Sequence, residues 1–514
     1  MVDAMPTPVI VPAPDRMSRS DGAFSVTVDT GIFADEAAGP VADLVRTLLG
    51  PVTGYGLPPA SAPGPNVVAL RVDPSREDLG SEGYQLAVEP DRIAAVAATS
   101  TGLRWAAQTL RQLLPVEVFA AEQQNGVKWD VPCVDIVDVP RFRWRGIMLD
   151  VARWFLPLDQ LHRFVDLAAL HKLNVLHLHL TDDQGWRWES RRYPRLTEVG
   201  AWRRESMVGH YDEQKFDGVR HGGFYTQDEL RSLVAYARDR GITVVPEIDM
   251  PGHMRAAIAA YPELGNFPSR PVEVATTWGI HDEVLNPEER TVQFCTDILA
   301  EVLDVFDSEF VHIGGDECPK SEWRASQRAQ QLISERGLSN EDELQSWFIR
   351  QLAAFLADNG RRMIGWDEII EGGLADGAVV MSWRSEEGGI TAAHLGHEVV
   401  MTPSQRVYFD YYQADSAGEP VAIGGLTTLE SVRAYEPVPI ALAERVDRVL
   451  GTQCQLWTEY IPDSAHLEYM AFPRTCAFAE VAWGSDPADF SPRLASHLDR
   501  LDVLGVHYRK LDQR

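Results

Sequence analysis

Apolar and polar positions follow two textures along the chain. In roughly the first 140 residues, short alternating runs mix with two helical repeats. Side chains alternate at 25–32, which predicts a strand. Val41, Leu44, Val45 and Leu48 recur at helical spacing and predict a helix over 36–49. A Pro/Gly-rich turn at 57–65 precedes a strand at 67–72. Runs at 84–88 and 92–97 flank Glu89-Pro90-Asp91 and predict a hairpin. Leu103, Ala106, Ala107 and Leu110 predict a helix over 100–114. Residues 1–22 carry no such pattern and read as an extended, poorly ordered arm. Residues 23–141 then form a small mixed α/β domain with a supporting role and no evident chemistry.

From Arg143 the texture changes. Apolar strands are expected at 146–151, 175–181, 243–248, 310–313, 362–366, 379–383, 398–402 and 450–457, with amphipathic helices between them. Thr226-Gln227-Asp228-Glu229 is a capping box that opens one helix. Another, at 343–357, turns Leu344, Trp347, Phe348, Leu352 and Phe355 inward. Eight βα units close a barrel. The expected fold is α/β: a (β/α)8 TIM-barrel catalytic domain over 142–514, preceded by the smaller domain. The connections at 182–241 and 404–448 are long and belong on the active face.

In such a barrel, chemistry sits at the C-terminal ends of the strands. These ends read, in order, Asp150 with Arg153, Asp182-Asp183, Glu247 with Asp249 and His253, Asp316-Glu317, Trp366-Asp367-Glu368, Trp383-Arg384, Tyr408-Phe409-Asp410 and Trp457-Thr458-Glu459. Taken singly, each has a bland explanation, since acids cap helices and tryptophans fill cores. A ring of them at equivalent positions does not. In Val311-His312-Ile313-Gly314-Gly315-Asp316-Glu317, a buried strand runs into two glycines and two adjacent carboxylates. Adjacent strand residues face opposite ways, so both acids reach one site only where the strand turns. Two carboxylates held close together raise the pKa of one, which suits a general acid. Tryptophan faces, acids and an arginine together suit a neutral polyhydroxyl ligand.

Composition adds exclusions. With 514 residues, two domains are expected. The formal charge of -29 argues against nucleic acid and other polyanions. No apolar run reaches membrane-spanning length, so no membrane partner is expected. The five scattered cysteines form no C-x-x-C pair. Neither a phosphate-cradling loop nor a G-x-S-x-G elbow occurs, so no cofactor is expected. The N-terminus does not read as a secretory signal, and a cytoplasmic location is the expectation.

Leu149-Asp150-Val151-Ala152-Arg153, the run from His177 to Arg187, Pro246-Glu247-Ile248-Asp249-Met250-Pro251-Gly252-His253 and His312-Ile313-Gly314-Gly315-Asp316-Glu317 resemble glycoside hydrolase family 20, the β-N-acetylhexosaminidases. Gly365-Trp366-Asp367-Glu368, Tyr408-Phe409-Asp410 and Trp457-Thr458-Glu459 extend the resemblance across about 140–485. It implies exo-acting removal of terminal β-linked GlcNAc or GalNAc with retention, the substrate's 2-acetamido oxygen acting as nucleophile. By that resemblance Glu317 is the general acid and then base. Asp316 orients the acetamido group, and Tyr408 donates to its oxygen. Trp366, Trp383 and Trp457 wall the pocket, while Arg153, Asp410 and Glu459 hold ring hydroxyls. Asp182 and His253 form a dyad behind Glu317. Trp154 departs from the family, where His often follows the arginine. The stretch 205–222 matches nothing in it.

Two other function classes fit parts of the pattern. His177 and His179 share a strand face, as in metal-dependent barrel hydrolases. Later strands supply Trp and Tyr where further ligands are needed, so no metal is expected, and activity after exhaustive chelation discriminates. A non-catalytic sugar-binding barrel would have lost its acid, whereas Asp316 and Glu317 are both present.

Overall fold

Eight parallel strands close a barrel: β7 (Trp144–Asp150), β8 (Val175–His179), β9 (Thr243–Glu247), β10 (Phe310–His312), β11 (Arg362–Trp366), β12 (Val379–Ser382), β13 (Val399–Met401) and β14 (Val449–Leu456), with β14 pairing back onto β7. The protein is described as a computed structural model covering residues 8–485 and 488–511. The first seven residues of the expected arm lie outside the described residues, as do 486–487 and 512–514 of the expected barrel domain. Each barrel strand falls where an apolar run predicts it, because strands covered on both faces carry continuous hydrophobic sequence. The side chains of β7, β8 and β14 are buried throughout.

Six strands precede the barrel: β1 (Arg16–Ser25), β2 (Gly31–Ala34), β3 (Val67–Val72), β4 (Tyr84–Glu89), β5 (Arg92–Ala97) and β6 (Asp130–Asp138). They form one sheet in the order β1-β6-β4-β5-β3-β2, with helices α1 (Gly39–Thr53) and α2 (Ser100–Leu113) packed on it. β4 and β5 are the expected hairpin, with Glu89 opposite Arg92. Two expectations are corrected. Residues 16–22 are not an arm but part of β1, an edge strand paired antiparallel with β6. Its side chains are mostly exposed and polar, so no apolar alternation marks it. Ahead of it, Ile10 and Val11 are buried, and the Val11 amide donates to Gln112 Oε1 at 2.9 Å. The strand expected over 25–32 is split by a turn, in which the Thr27 amide donates to Thr30 Oγ1 at 2.9 Å.

The sheet domain docks beneath the barrel, at the N-terminal ends of its strands. Asp138 on β6 is fully buried there, 2.6 Å from Lys172 Nζ, and it accepts from Tyr84 Oη at 2.7 Å and Trp483 Nε1 at 2.6 Å. Burial lowers the Lys172 ammonium despite the Asp138 charge. Glu82 takes Arg145 Nη2 at 2.5 Å and Asn174 Nδ2 at 2.9 Å, both from the starts of barrel strands. Among the described residues, no helix is long and apolar enough to cross a membrane.

Breaking a buried ion pair strands one charge in a low-dielectric site. Lys172→Met is therefore expected to destabilise the folded chain by about 3–5 kcal/mol, measured by urea unfolding. An unchanged midpoint would contradict this account of the interface.

Candidate active site

A cavity of about 400 Å³ opens at the C-terminal ends of the barrel strands. All eleven expected residues line it: Arg153, Asp182, His253, Asp316, Glu317, Trp366, Trp383, Tyr408, Asp410, Trp457 and Glu459. Among the described residues, none that lines the cavity precedes Arg153, so the described part of the sheet domain contributes nothing to the cavity wall.

The turn after β10 delivers the paired acids. Gly314 and Gly315 adopt φ +68° and +93°, and Glu317 is held at φ +43°, a strained value for a side-chain-bearing residue. A Cβ on Gly314 would overlap the Asp249 carboxylate, whose Oδ1 accepts the Gly315 amide at 3.1 Å. The tight turn thus packs on Asp249 and swings Asp316 and Glu317 to the same side. His253, itself at φ +52°, meets both: its Nε2 lies 3.5 Å from Glu317 Oε2 and 3.9 Å from Asp316 Oδ2. Its Nδ1 lies 3.2 Å from both Asp182 Oδ1 and Asp183 Oδ2.

Arg153 anchors the opposite wall. Asp150 accepts from the Ala152 and Arg153 amides at 2.8 and 3.1 Å, fixing the turn that aims the guanidinium. Arg153 Nη2 reaches Asp182 Oδ2 at 2.9 Å and Glu459 Oε1 at 3.9 Å. Trp366 donates to Glu247 Oε1 at 2.9 Å and Trp383 to Glu368 Oε2 at 3.0 Å, so both indoles are locked. Tyr408 stacks on Trp383 with ring centroids 6.0 Å apart.

The electrostatics are unusual for their surplus of acid. Burial, reinforced by Asp249, pushes the Asp316 carboxyl well above its ordinary range. Burial also raises Asp249 and Glu368 to about 8, the latter with help from Asp316. Asp410 is driven well up by burial and by Glu459. Asp182 is the exception, since Arg153 and His253 override its burial and hold it well below the usual carboxylate range. Among the described residues, Asp316 Oδ1, Asp410 Oδ1 and Glu459 Oε2 are buried without a hydrogen-bond partner. Leaving such atoms unpaired is costly, and a ligand rich in N–H and O–H donors removes the cost.

The histidines weighed as metal ligands sit in buried clusters with acids, of a kind that could hold a metal ion. His177 Nε2 lies 3.0 Å from Glu247 Oε2, and His179 spans Glu247 and Asp182. Trp154 lies outside the cavity wall and donates to the Glu459 carbonyl at 3.2 Å.

Further lining residues were not expected. Tyr411, Tyr460, Trp278, Ile280, Ile423, His210 and Tyr211 form the mouth. Tyr411 and Tyr460 are chain neighbours of Asp410 and Glu459, which is the signal that could have found them. His210 and Tyr211 come from the stretch 205–222, where Met207–Val208 pairs with Lys215–Phe216 and the Tyr211 amide donates to Tyr460 Oη at 3.2 Å.

Comparison with known proteins decides the family. The model for glycosyl hydrolase family 20, catalytic domain, matches residues 142–486, and that for glycosyl hydrolase family 20, domain 2, matches residues 7–139. This chain belongs to glycosyl hydrolase family 20. A beta-hexosaminidase of Porphyromonas gingivalis is 43% identical over 97% of this chain, which spans 64% of that relative's length. The GH20 beta-N-acetylhexosaminidase of Streptomyces coelicolor A3(2) superposes with a TM-score of 0.86 at 30% identity, covering 99% of both chains. A mutant Streptomyces plicatus beta-hexosaminidase in complex with product GlcNAc gives the same TM-score and identity, covering 99% of this chain and 98% of its own.

Gly314→Ala places a side chain in the left-handed region and against Asp249. It is expected to destabilise this family 20 barrel by about 2–4 kcal/mol, read by urea unfolding. A wild-type midpoint would show that the turn does not depend on the missing Cβ.

Proposed function

We propose that this chain is an exo-acting, retaining β-N-acetylhexosaminidase that removes terminal non-reducing β-linked GlcNAc, and GalNAc as well, with the sugar's own acetamido oxygen as nucleophile. One observation carries the reading. Asp316 and Glu317 approach the same imidazole nitrogen of His253, at 3.9 and 3.5 Å, and so stand on one side of the cavity. An acid paired with an enzyme nucleophile flanks the scissile bond from opposite faces. Two carboxylates side by side instead suit a proton carrier and a group that holds the acetamido arm. The product GlcNAc held by the Streptomyces plicatus neighbour supports the choice of sugar.

In the first step the acetamido oxygen attacks C1 while Glu317 gives its proton to the departing glycosidic oxygen. Asp316 accepts the acetamido N–H, and its anion offsets the positive charge that develops on the oxazolinium ring. That pairing offsets the burial and like-charge repulsion that otherwise disfavour the Asp316 carboxylate. Tyr408 donates to the attacking oxygen. In the second step the Glu317 carboxylate takes a proton from water, which attacks C1 from the face the aglycone left. The ring opens and configuration is retained. Trp366, Trp383 and Trp457 wall the acetamido methyl and the sugar face. Arg153, Asp410 and Glu459 bind hydroxyls, which supplies donors for the unpaired oxygens of the two acids.

Aryl β-N-acetylglucosaminides with graded leaving groups test the roles. Glu317→Gln is expected to lose about 10²–10⁴-fold in kcat on poor leaving groups and far less on activated ones. Asp316→Asn is expected to lose about 10²–10³-fold on both, because it acts on the acetamido group. Full activity of Glu317→Gln on poor leaving groups would remove it from the acid role. A thiazoline mimic of the cyclised intermediate is expected to inhibit strongly, and failure to inhibit would favour an enzyme nucleophile.

A further inference from the structure

We propose that His179 and Glu247 are positioning residues: a second imidazole–carboxylate pair, stacked beneath His253 and Asp182, that sets the pH range over which Glu317 exchanges its proton. The inference rests on the role given to Glu317 above.

Five ionisable groups run in file from the cavity into the barrel. Glu317 Oε2 lies 3.5 Å from His253 Nε2, and His253 Nδ1 lies 3.2 Å from Asp182 Oδ1. Asp182 Oδ2 then lies 2.8 Å from His179 Nε2, and His179 Nδ1 lies 2.5 Å from Glu247 Oε2. The links tighten with depth, and His179 and Glu247 are completely buried.

Hydrogen-bond roles fix the protonation of the lower pair. Both His179 nitrogens abut carboxylate oxygens, so a neutral ring would point a lone pair at an anion. With Asp182 and Glu247 both held below the usual carboxylate range, the geometry calls for an imidazolium. Burial opposes that charge, but Glu247 and Asp182 override it and hold His179 well above its ordinary pKa. Glu247 itself is kept ionised by its neighbours. Burial opposes its charge, but His179 above all holds it well below the usual carboxylate range; Trp366 donates to it at 2.9 Å and His177 Nε2 lies 3.0 Å away, while His312 Nδ1 accepts the Gly314 amide. The Gln453 amide lies 3.0 Å from His177 Nδ1, and burial lowers that imidazole to about 4, so His177 is neutral.

Other charges face the file and remain in place when the lower pair changes. Arg153 pairs with Asp182, and Asp183 shares His253. On the cavity side stand Asp316, Asp249 and Glu368. The Trp457 ring covers one edge of His179, with centroids 4.9 Å apart, and keeps water from that contact.

The pair carries no net charge, so removing one member shifts the field at the top of the file while removing both restores it. His179→Gln deletes a positive charge and keeps an amide for Asp182. Every acid above it then holds its proton more tightly. The alkaline limb of kcat/KM, measured on an aryl β-N-acetylglucosaminide with a poor leaving group, is expected to move up by about one pH unit. In the double variant His179→Gln/Glu247→Gln, the limb returns to within about 0.3 unit of the original. A fall in kcat with the limb unmoved would reduce the pair to barrel filling and overturn the proposal. The unsubstituted chain gives an independent readout if the variants do not fold. Nitrogen-15 NMR of its histidines should show His179 doubly protonated up to about pH 8 and beyond. A neutral tautomer there would overturn the proposal equally. If the unsubstituted chain cleaves no such glycoside, the functional reading falls while the NMR result still judges the pair.

Discussion

Keeping so many carboxyl groups out of water around one cavity is the constraint on which the rest of this structure turns. Asp316, Asp249 and Glu368 crowd one side, and Asp410 and Glu459 the other. Burial raises every one of them. Lone buried charges cost far more than any single contact returns. The fold meets part of that cost. Arg153 and His253 neutralise the acids they can reach, which leaves Asp182 firmly ionised. Among the described residues, Asp249, Asp316, Asp410 and Glu459 each keep a buried oxygen without a partner.

That arrangement explains why the barrel is built as it is. The Asp316-Glu317 turn runs through two left-handed glycines and a left-handed Glu317, a conformation that persists only because Asp249 and β11 close over it. The tryptophans are both walls and struts, since the Trp366 and Trp383 indoles are pinned by Glu247 and Glu368. At the far end, Asp138 and Glu82 of the sheet domain neutralise Lys172 and Arg145 at the base of the strands. The sheet domain thus holds the barrel floor and leaves the cavity to the loops.

Much of this was legible in the sequence, for physical reasons. Strands buried on both faces, such as 146–151 and 450–457, betray themselves by unbroken apolar runs. Site residues at their ends, such as Asp316 and Trp457, are located by the strand that precedes them. Legibility fails where structure is fixed by partners distant in sequence. β1 is polar and exposed on an edge, and only its pairing with β6 makes it a strand. His210, Tyr211 and Trp278 lie on loops whose path no periodicity encodes, so their place at the mouth was invisible. Glu368 appeared only as the end of a strand, and its tie to Trp383 needs the folded barrel.

The central claim is that the protein aims the substrate's acetamido arm and carries a proton, and contributes no nucleophile of its own. Its most direct test compares aryl β-glycosides that differ only at C2. Purified chain is given the GlcNAc, GalNAc and glucose glycosides of one phenol, with and without a chelator. The account predicts rapid cleavage of both N-acetylated sugars, unaffected by chelation, and almost none of the glucoside. Cleavage of the glucoside at a comparable rate would contradict it.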